Sequence, residues 1–303
     1  QGAQKVGMGK KLYDESTVAR HVFQMVDDAI NQPLSKLMFE GPQEELTLTE
    51  NAQPALMATS LGVLKTLEER SGQNIEHFAD YCAGHSLGEY SALAASRALN
   101  LSDCARLLKA RGCAMQAAVP VGKGAMAAIL GIDIVALETI IDDIATKSDL
   151  VIANDNSPGQ IVISGTALAV KKAVEACKAT GAKRAFMLDV SAPFHSPLMA
   201  PASEKMRTIL EQTKISNPVI PLICNVQAKA VSDCDQIRDL LIRQVCARVE
   251  WRKSMHFFQQ QNGTNATELG AGKVLSGLMR KNAPSITTHN LENIEDIDLF
   301  LQP

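Results

Sequence analysis

The stretch Ala83-Gly84-His85-Ser86-Leu87-Gly88-Glu89-Tyr90 decides the fold prediction for this chain. An apolar run ends at its first residue, glycines flank Ser86 two positions to either side, and a helix-forming run covers 90–95. A G-x-S-x-G pattern between a strand and a helix is typical of a nucleophile elbow, in which the serine stands on a sharp turn with its Oγ exposed. The turn also directs the N–H of Leu87, at the helix N-terminus, toward any oxyanion formed there. An ordinary strand-to-helix turn is the alternative interpretation of these five residues.

The composition is that of a globular protein with a substantial core. Of the 303 residues, 46% are hydrophobic, which suffices for one large domain or two unequal ones. No apolar stretch reaches the roughly 18 to 20 residues of a membrane span, and residues 1–5 lack a signal pattern. The seven cysteines are never spaced C-x-x-C, which predicts reduced thiols in the cytoplasm and no zinc site. A net charge of −3 and 4% aromatic residues argue against nucleic-acid binding.

Residues 123–191 show a regular order of strands and helices that differs from the rest of the chain. The hydrophobic pattern predicts a strand over 125–130, a helix over 134–147, strands over 150–153 and 160–164, a helix over 167–180 and a strand over 183–190. A turn-rich connection over 154–159 joins the two middle strands. The order β-α-β-β-α-β indicates a ferredoxin-like small domain. We therefore predict that this domain is inserted into a larger α/β domain formed by 1–122 and 192–303.

The predicted large domain alternates helices with a few buried strands. Helices are expected over 17–30, 53–70, 103–118 with Ser102 as N-cap, 199–211, 235–245 and 274–281, and strands over 219–224 and 265–269. Such alternation is typical of an α/β fold.

A serine hydroxyl is a weak nucleophile and needs a base, most often a histidine. Of the six histidines, His195 is the best candidate because it follows a predicted strand and lies between Pro193 and Pro197, which make the loop rigid. A packed loop histidine is an equal alternative on composition alone. His85 is adjacent to Ser86 and points another way around the turn, so it is a poor base that could line the pocket. The others are expected at the surface or, for His256, at the surface or in the core.

The sequence offers no obvious acid to complete a catalytic triad. Asp155 and Asp189 follow the chain order of a hydrolase triad, but both fall in the inserted domain. A Ser86–His195 dyad is therefore favoured, with the histidine oriented by a backbone carbonyl or an amide side chain.

Several segments together resemble one family along essentially the whole chain, in the right order. They are GHSLGE at 84–89, RG at 111–112 with MQAAVP at 115–120, GAMAA at 124–128, NSPGQ at 156–160, PFHS at 193–196 and GKVL at 272–275. The pattern is similar to that of the bacterial malonyl-CoA:acyl-carrier-protein transacylases. The resemblance implies an α/β-hydrolase-like large domain with a ferredoxin-like insert. It also implies ping-pong transfer of malonyl from coenzyme A to a serine and then to the phosphopantetheine thiol of acyl carrier protein, in type II fatty-acid synthesis and without a cofactor or metal.

The resemblance also assigns roles to individual residues. It implies Ser86 as nucleophile, His195 as general base and acid, Gln244 as the residue whose carbonyl orients the histidine, Arg111 as the partner of the malonyl carboxylate, Asn156 and His85 near the substrate, Leu87 and Gln1 as oxyanion donors, and Arg280 and Lys281 in carrier-protein docking. Spacing alone would place Arg111 on an exposed helix face beside Lys109. The charges of Arg280 and Lys281 could equally be two solvated residues at a helix end.

Two positions depart from the family pattern, and two other functions stay open. The chain begins inside the family's G-Q-G-x-Q loop at Gln1, so either the N-terminus is incomplete or the oxyanion hole is impaired. Glu250 stands before Trp251 where many relatives carry glutamine or arginine. The alternatives are a serine thioesterase or esterase on the same elbow, which Arg111 and the lack of a third acid disfavour, and a non-catalytic module that docks a carrier protein.

Overall fold

A computed structural model describes residues 1–190 and 192–302 of the chain. Helices dominate the first part of the large domain, in agreement with the sequence pattern. Its elements are α1 (Lys10–Glu15), α2 (Thr17–Ile30), α3 (Leu34–Glu40), α4 (Gln43–Thr47), α5 (Thr49–Ser71), α6 (Ile75–Phe78), β1 (Cys82–Ala83), α7 (Leu87–Ala95) and α8 (Leu101–Ala117). The predicted helices over 17–30 and 53–70 are confirmed, the second as the longer α5.

The start of α8 differs from the prediction by two residues. Asn100, and not Ser102, is the N-cap, because its Oδ1 accepts the N–H of Asp103 at 2.8 Å. A close crossing of α5 and α8 then decides which face of α8 is buried. A Cβ on Gly112 would lie 2.4 Å from the Cα of Glu50, so the glycine lets the two backbones touch. The residue before it, Arg111, is held inside the protein by this crossing.

The small domain has the predicted ferredoxin-like topology. It comprises β2 (Gly124–Leu130), α9 (Ile134–Ile144), β3 (Leu150–Ser157), β4 (Gln160–Thr166), α10 (Ala167–Ala179) and β5 (Arg184–Met187). The sheet order is β3-β4-β2-β5 with antiparallel neighbours, and its core is separate from that of the large domain. The expected loop over 154–159 is wrong: β3 continues through Ser157, because its register with β4 shifts twice and keeps the strands paired.

The last part of the chain completes the large domain. Its elements are the 3₁₀ turn Pro197–Met199, α11 (Ala200–Gln212), β6 (Leu222–Ile223), β7 (Ala230–Val231), α12 (Cys234–Gln244), α13 (Trp251–Gln260), β8 (Asn265–Leu269), α14 (Val274–Asn282), β9 (Thr287–Leu291) and α15 (Ile294–Phe300). The strand β9, which pairs in parallel with β8, and the helix α15 were not expected from the sequence.

The elbow lies at the end of a very short sheet. β1 pairs in parallel with β6, which pairs antiparallel with β7. The predicted strand over 219–224 shortens to Leu222–Ile223, because Pro221 has no N–H to donate and the N–H of Val219 bonds to Ser96 O instead. A Cβ on Gly84 would lie 1.9 Å from Gly88 O, so glycine is required where β1 meets α7. This close approach forms the sharp turn that carries Ser86.

Backbone hydrogen bonds and an ion pair join the small domain to the large one beside this turn. The N–H of Asp155 on β3 donates to Val249 O at 3.0 Å, and the N–H of Val249 donates to Ala153 O at 2.8 Å. The buried carboxylate of Asp155 also pairs with Arg252 Nε at 2.9 Å. The segment between α12 and α13 is thus fixed to β3.

Candidate active site

Ser86 occupies a strained position that a neighbouring side chain supports. Its backbone φ of 53° and ψ of −109° are unusual for a residue with a Cβ. The N–H of Ser86 donates to Asn225 Oδ1 at 2.7 Å, and Asn225 Nδ2 donates to Gly84 O at 2.7 Å. The buried amide of Asn225 therefore spans both sides of the elbow and holds the turn.

His195 lies next to the Ser86 hydroxyl in an orientation suited to a base. Its Nε2 is 2.8 Å from Ser86 Oγ, and its Nδ1 is 2.9 Å from the main-chain oxygen of Gln244. Since a carbonyl only accepts, Nδ1 carries the proton and Nε2 is free to accept one. The φ of His195 is 56°, so a second strained residue faces the first.

The surroundings of His195 keep the ring neutral. Burial lowers the pKa of His195 to about 3, and the positive charge of Arg111 contributes in the same direction. Of the two acids considered from sequence, Asp155 is paired with Arg252 and Asp189 is exposed. The group that orients the ring is thus the carbonyl of Gln244, and the arrangement is a Ser–His dyad.

Arg111 is buried beside the serine, so the interpretation as an exposed helix charge is wrong. Its side chain is 1% exposed, and its guanidinium lies over the ring of Tyr90 at 5.6 Å. Nη1 donates to Gln53 Oε1 at 2.7 Å, and Nη2 donates to Gln244 Oε1 at 2.8 Å and to Ser86 Oγ at 3.2 Å. Among the described residues, three of its five N–H groups donate these hydrogen bonds, and Nε–H, one of the other two, has no hydrogen-bond partner. The cation can therefore meet a carboxylate placed next to Ser86.

Gln1 reaches this cation through a chain of polar side chains. Thr49 Oγ1 donates to Gln1 Oε1 at 3.1 Å, and Gln53 Nε2 donates to Thr49 Oγ1 at 3.0 Å. Gln53 in turn accepts from Arg111. The structure thus brings Gln1 to the side of the site where Arg111 lies.

Leu87 begins α7, directly after the serine. The first amide groups of a helix have no acceptor within the helix, and they point out of its N-terminus. The N–H of Leu87 is the first of these amide groups and lies directly after Ser86 in the chain.

A buried carboxylate lies behind the site. Glu89 is 1% exposed; its Oε1 accepts the N–H of Asn225 at 3.2 Å and its Oε2 accepts Gln244 Nε2 at 2.6 Å. Burial raises the pKa of Glu89 to about 7, while the hydrogen bond from Gln244 opposes that rise. The Gln244 side chain also donates to Ser86 O at 2.9 Å, so it links the acid, the elbow and Arg111.

His85 and Asn156, a residue of β3 in the small domain, are hydrogen-bonded beside the site. His85 Nε2 is 2.8 Å from Asn156 Oδ1, and the His85 ring lies 5.4 Å from the ring of Trp251. Burial lowers the pKa of His85 to about 4. The neutral histidine and Asn156 form a wall of the site and do not act on Ser86.

Arg280 and Lys281 lie farther out, at the end of α14. Both are exposed; Arg280 Nη1 donates to Thr288 Oγ1 at 3.3 Å and Lys281 Nζ donates to Gln160 Oε1 at 2.8 Å. The next residue, Asn282, donates from Nδ2 to Asn156 O at 2.8 Å. The helix end therefore reaches the rim of the site through Asn156.

Glu250, the departure noted in the sequence, directly precedes α13. Its carboxylate pairs with Lys253 at 3.1 Å and Arg248 at 3.9 Å, and its N–H donates to Asn225 O at 2.9 Å. The four histidines other than His85 and His195 are exposed.

Three residues of the site were missed by sequence reasoning: Gln53, Glu89 and Asn225. Glu89 carried a signal, since a charged residue one turn after the nucleophile lies in an otherwise apolar helix. Asn225 carried a weaker one, because it follows a predicted buried strand. Nothing in the pattern around Gln53 distinguishes it from other polar residues of a long helix.

Comparison with known proteins gives consistent matches over the whole chain. The sequence model of the acyl transferase domain family matches residues 1–261. The malonyl CoA-acyl carrier protein transacylase of Bacillus subtilis is 46% identical over 303 residues, which cover 100% of this chain and 94% of that protein. The crystal structure of acyl-carrier-protein-S-malonyltransferase from Bartonella henselae has a TM-score of 0.96 and 48% identity, over 99% of this chain and 96% of that one. A malonyl-transacylase solved in complex with its type II PKS acyl-carrier protein has a TM-score of 0.95 and 36% identity, over 99% and 96% of the two chains.

Proposed function

Because the chain belongs to the acyl transferase family, as one of its malonyl CoA-acyl carrier protein transacylases, we propose that Ser86 carries the malonyl group between the two substrates. The protein transfers malonyl from malonyl-CoA to acyl carrier protein in fatty-acid biosynthesis. The observation that supports Ser86 as the carrier is its hydroxyl 2.8 Å from His195 Nε2, with the other ring nitrogen bonded to Gln244 O.

In the first half-reaction, Ser86 Oγ attacks the thioester carbonyl carbon of malonyl-CoA while His195 Nε2 takes the hydroxyl proton. The carbonyl oxygen becomes an oxyanion, for which we assign the N–H groups of Leu87 and Gln1 as donors, each contributing about 3 kcal/mol. The C–S bond then breaks, and His195 returns its proton to the leaving thiolate. The products are coenzyme A and a malonyl ester on Ser86.

The second half-reaction repeats these steps in the opposite sense. The phosphopantetheine thiol of acyl carrier protein gives its proton to His195 Nε2, and its sulfur attacks the ester carbonyl of malonyl-Ser86. The C–O bond breaks, and Ser86 Oγ recovers the proton from His195. The steps use protein groups, the thioester of malonyl-CoA and the thiol of the carrier, with no cofactor.

Arg111 supplies selection for malonyl in this scheme. A carboxylate taken into a buried site needs a cation, and a guanidinium can meet both of its oxygens in one plane. The pair has a second effect, because the charge of Arg111 is one cause of the low pKa of His195. When the malonyl carboxylate neutralises Arg111, the pKa of His195 rises and the imidazole becomes a stronger base toward Ser86.

The rim of the site supports an assignment of Arg280 and Lys281 to carrier-protein docking. One solved neighbour is a malonyl-transacylase in complex with an acyl-carrier protein, so a carrier reaches a site of this fold. In this chain the two exposed cations lie beside Asn282, which bonds to Asn156 at the site wall. Basic side chains placed there would attract an acidic carrier.

We also propose the cytoplasm as the compartment. All seven cysteines are free, which fits a reducing environment. Among the described residues, no helix has the length and apolar character needed to cross a membrane.

The experiment that tests the proposed function is intact-mass analysis after brief mixing with malonyl-CoA. We expect one added malonyl group in the wild-type protein, located on Ser86 by peptide mapping, and none in Ser86→Ala. The control is Ser91→Ala, a buried serine on α7, the helix that begins directly after Ser86. An adduct on another residue, or undiminished transfer by Ser86→Ala, would contradict the proposal.

A further inference from the structure

The carboxylate of Glu89 has no part in the chemistry above, yet it is fully enclosed behind the site. Both of its hydrogen bonds come from neutral N–H donors, the backbone of Asn225 and the side-chain amide of Gln244. Burying a carboxylate against neutral donors costs free energy, and the nearby positive charge of Arg111 offsets part of that cost. The groups that the carboxylate holds in place are its two donors, Asn225 N and Gln244 Nε2.

The Gln244 amide can adopt only one of its two orientations while Glu89 is in place. Nε2 donates to Glu89 Oε2 at 2.6 Å and to Ser86 O at 2.9 Å, and Oε1 accepts from Arg111 Nη2 at 2.8 Å. A reversed amide would direct its oxygen at two other oxygens and its NH₂ group at the guanidinium. Glu89 thereby favours, together with Ser86 O, the orientation in which Gln244 holds Arg111.

We propose that Glu89 is a positioning residue for malonyl selection, which acts through the Gln244 amide to aim the Arg111 guanidinium at the acyl group on Ser86. The inference rests on the proposed function, since it concerns how that site distinguishes malonyl from a neutral acyl group. The same Gln244 holds His195 by its main-chain oxygen, so one residue places both the cation and the base. Glu89 bonds to the side-chain amide of Gln244 and not to its main-chain oxygen.

The environment of Glu89 calls for two acceptor atoms and no donor. After Glu89→Gln the side chain keeps its shape but offers one acceptor oxygen to two N–H groups. Either Asn225 N or Gln244 Nε2 then faces an NH₂ group, so the contact by which Glu89 fixes the Gln244 amide is weakened while those to Ser86 O and Arg111 stay. The substitution therefore weakens the positioning effect with minimal change in volume.

The test compares kcat/KM for malonyl-CoA and acetyl-CoA in wild type and Glu89→Gln. We expect the malonyl-to-acetyl ratio to fall about tenfold or more, because the hydrogen bond that aims a charged group is lost. Thr66→Val is the matched control: it removes two buried hydrogen bonds, to Gly62 O and to Ser16 Oγ, several turns along α5 from Gln53. It should lower the melting temperature and leave the ratio unchanged.

A second variant keeps the test decisive if Glu89→Gln does not fold. Gln244→Ala removes the amide and keeps the main-chain oxygen that holds His195, so it should lower the same ratio. In a double-mutant cycle, Glu89→Gln should cause no further fall in the ratio on the Gln244→Ala background. A parallel fall for both substrates, an unchanged ratio in either variant, or additive effects would overturn the inference. The wild-type malonyl adduct tests the proposed function separately.

Discussion

Two regions of the molecule carry positive charge near the proposed site, an inner cluster and the end of α14, and they differ in burial and in the hydrogen bonds of their charged groups. The inner cluster consists of Ser86, His195, Arg111, Gln244 and Glu89, whose side chains bond to one another in the interior. The helix end, Arg280 and Lys281, is exposed and makes one hydrogen bond per side chain to a neutral neighbour. The guanidinium of the inner cluster is held by three hydrogen bonds, whereas each cation of the helix end has one.

This difference indicates what each region can do. A charge fixed in a low-dielectric interior interacts strongly and with a defined direction, so it can select one acyl group over another. An exposed charge is screened within about 10 Å at ordinary salt and mainly affects the rate of encounter. We therefore expect large, salt-independent effects from the inner cluster and small, salt-dependent ones from the helix end.

The largest effect expected among the histidines is that of His195→Ala. Without the base at 2.8 Å from Ser86 Oγ, acylation by malonyl-CoA should slow by about 10² to 10⁴, the usual contribution of general acid–base catalysis. Single-turnover kinetics of adduct formation measure it. A near wild-type rate, or a comparable loss in the exposed His256→Ala control, would contradict the assignment of the base.

Arg111→Ala should separate two substrates that differ by one carboxylate. We expect malonyl transfer to fall by about 10² to 10³, because an unpaired buried carboxylate costs about 3–5 kcal/mol, while acetyl transfer is retained or improves. Arg111→Lys should restore part of the malonyl activity, since an ammonium lacks the planar fork. The measurement is kcat/KM for both thioesters in the three proteins. A parallel loss for both would show that Arg111 supports the fold and does not select the acyl group.

The inner cluster should also make stability depend on pH. Burial lowers the pKa of His85 to about 4 and that of His195 to about 3, so the unfolded chain binds protons that the folded chain does not. The two histidines therefore make their full contribution to the free energy of unfolding above pH 6.5, the pKa of an unperturbed histidine. This contribution is lost as the pH falls toward 4 and 3. The pKa of Glu89 is raised to about 7, so between pH 4.5 and 7 the folded chain binds a proton at Glu89 that the unfolded chain does not. This one proton opposes the effect of the two histidine protons on the pH dependence of stability.

Replacing His85 should remove the proton that the unfolded chain binds at this residue and the folded chain does not. In His85→Gln we expect the slope of unfolding free energy against pH, between 4 and 6.5, to decrease by about 1.4 kcal/mol per pH unit. Urea unfolding at a series of pH values measures it. Thr66→Val should shift the whole curve without changing its slope. An unchanged slope in His85→Gln would show that His85 binds a proton equally in both states.

The smallest effect is expected at the helix end. Reversing Arg280 and Lys281 together to Glu should raise KM for the carrier protein several-fold, and the difference from wild type should shrink at high salt. The half-reaction with malonyl-CoA should be unaffected. The control is the same reversal at Lys171 and Lys172, an adjacent exposed pair on α10. Equal damage to both half-reactions, or an equal effect of the control, would contradict a docking role.

Much of the fold was predictable because it depends on local patterns. The small domain is an example: its alternating strands and amphipathic helices have lengths typical of a ferredoxin-like unit, and the structure confirms that order. The strands of the large domain were less predictable. β1 and β6 are only two residues long, and the prolines and loop contacts around Val219 shorten the apparent strand.

The sequence alone determined the elbow, since Gly84 permits a close approach to Gly88 O that the Cβ of any other residue would block. It also determined the residue types available for catalysis and the resemblance that assigned them roles. Only the tertiary structure decided that Arg111 is buried and that Glu89 and Asn225 hold the elbow from behind. It also places Gln244 O at His195 Nδ1, the pair that the resemblance implied. The physical reason is that these contacts join residues up to 158 positions apart, as between Ser86 and Gln244, and no local periodicity records such a pair.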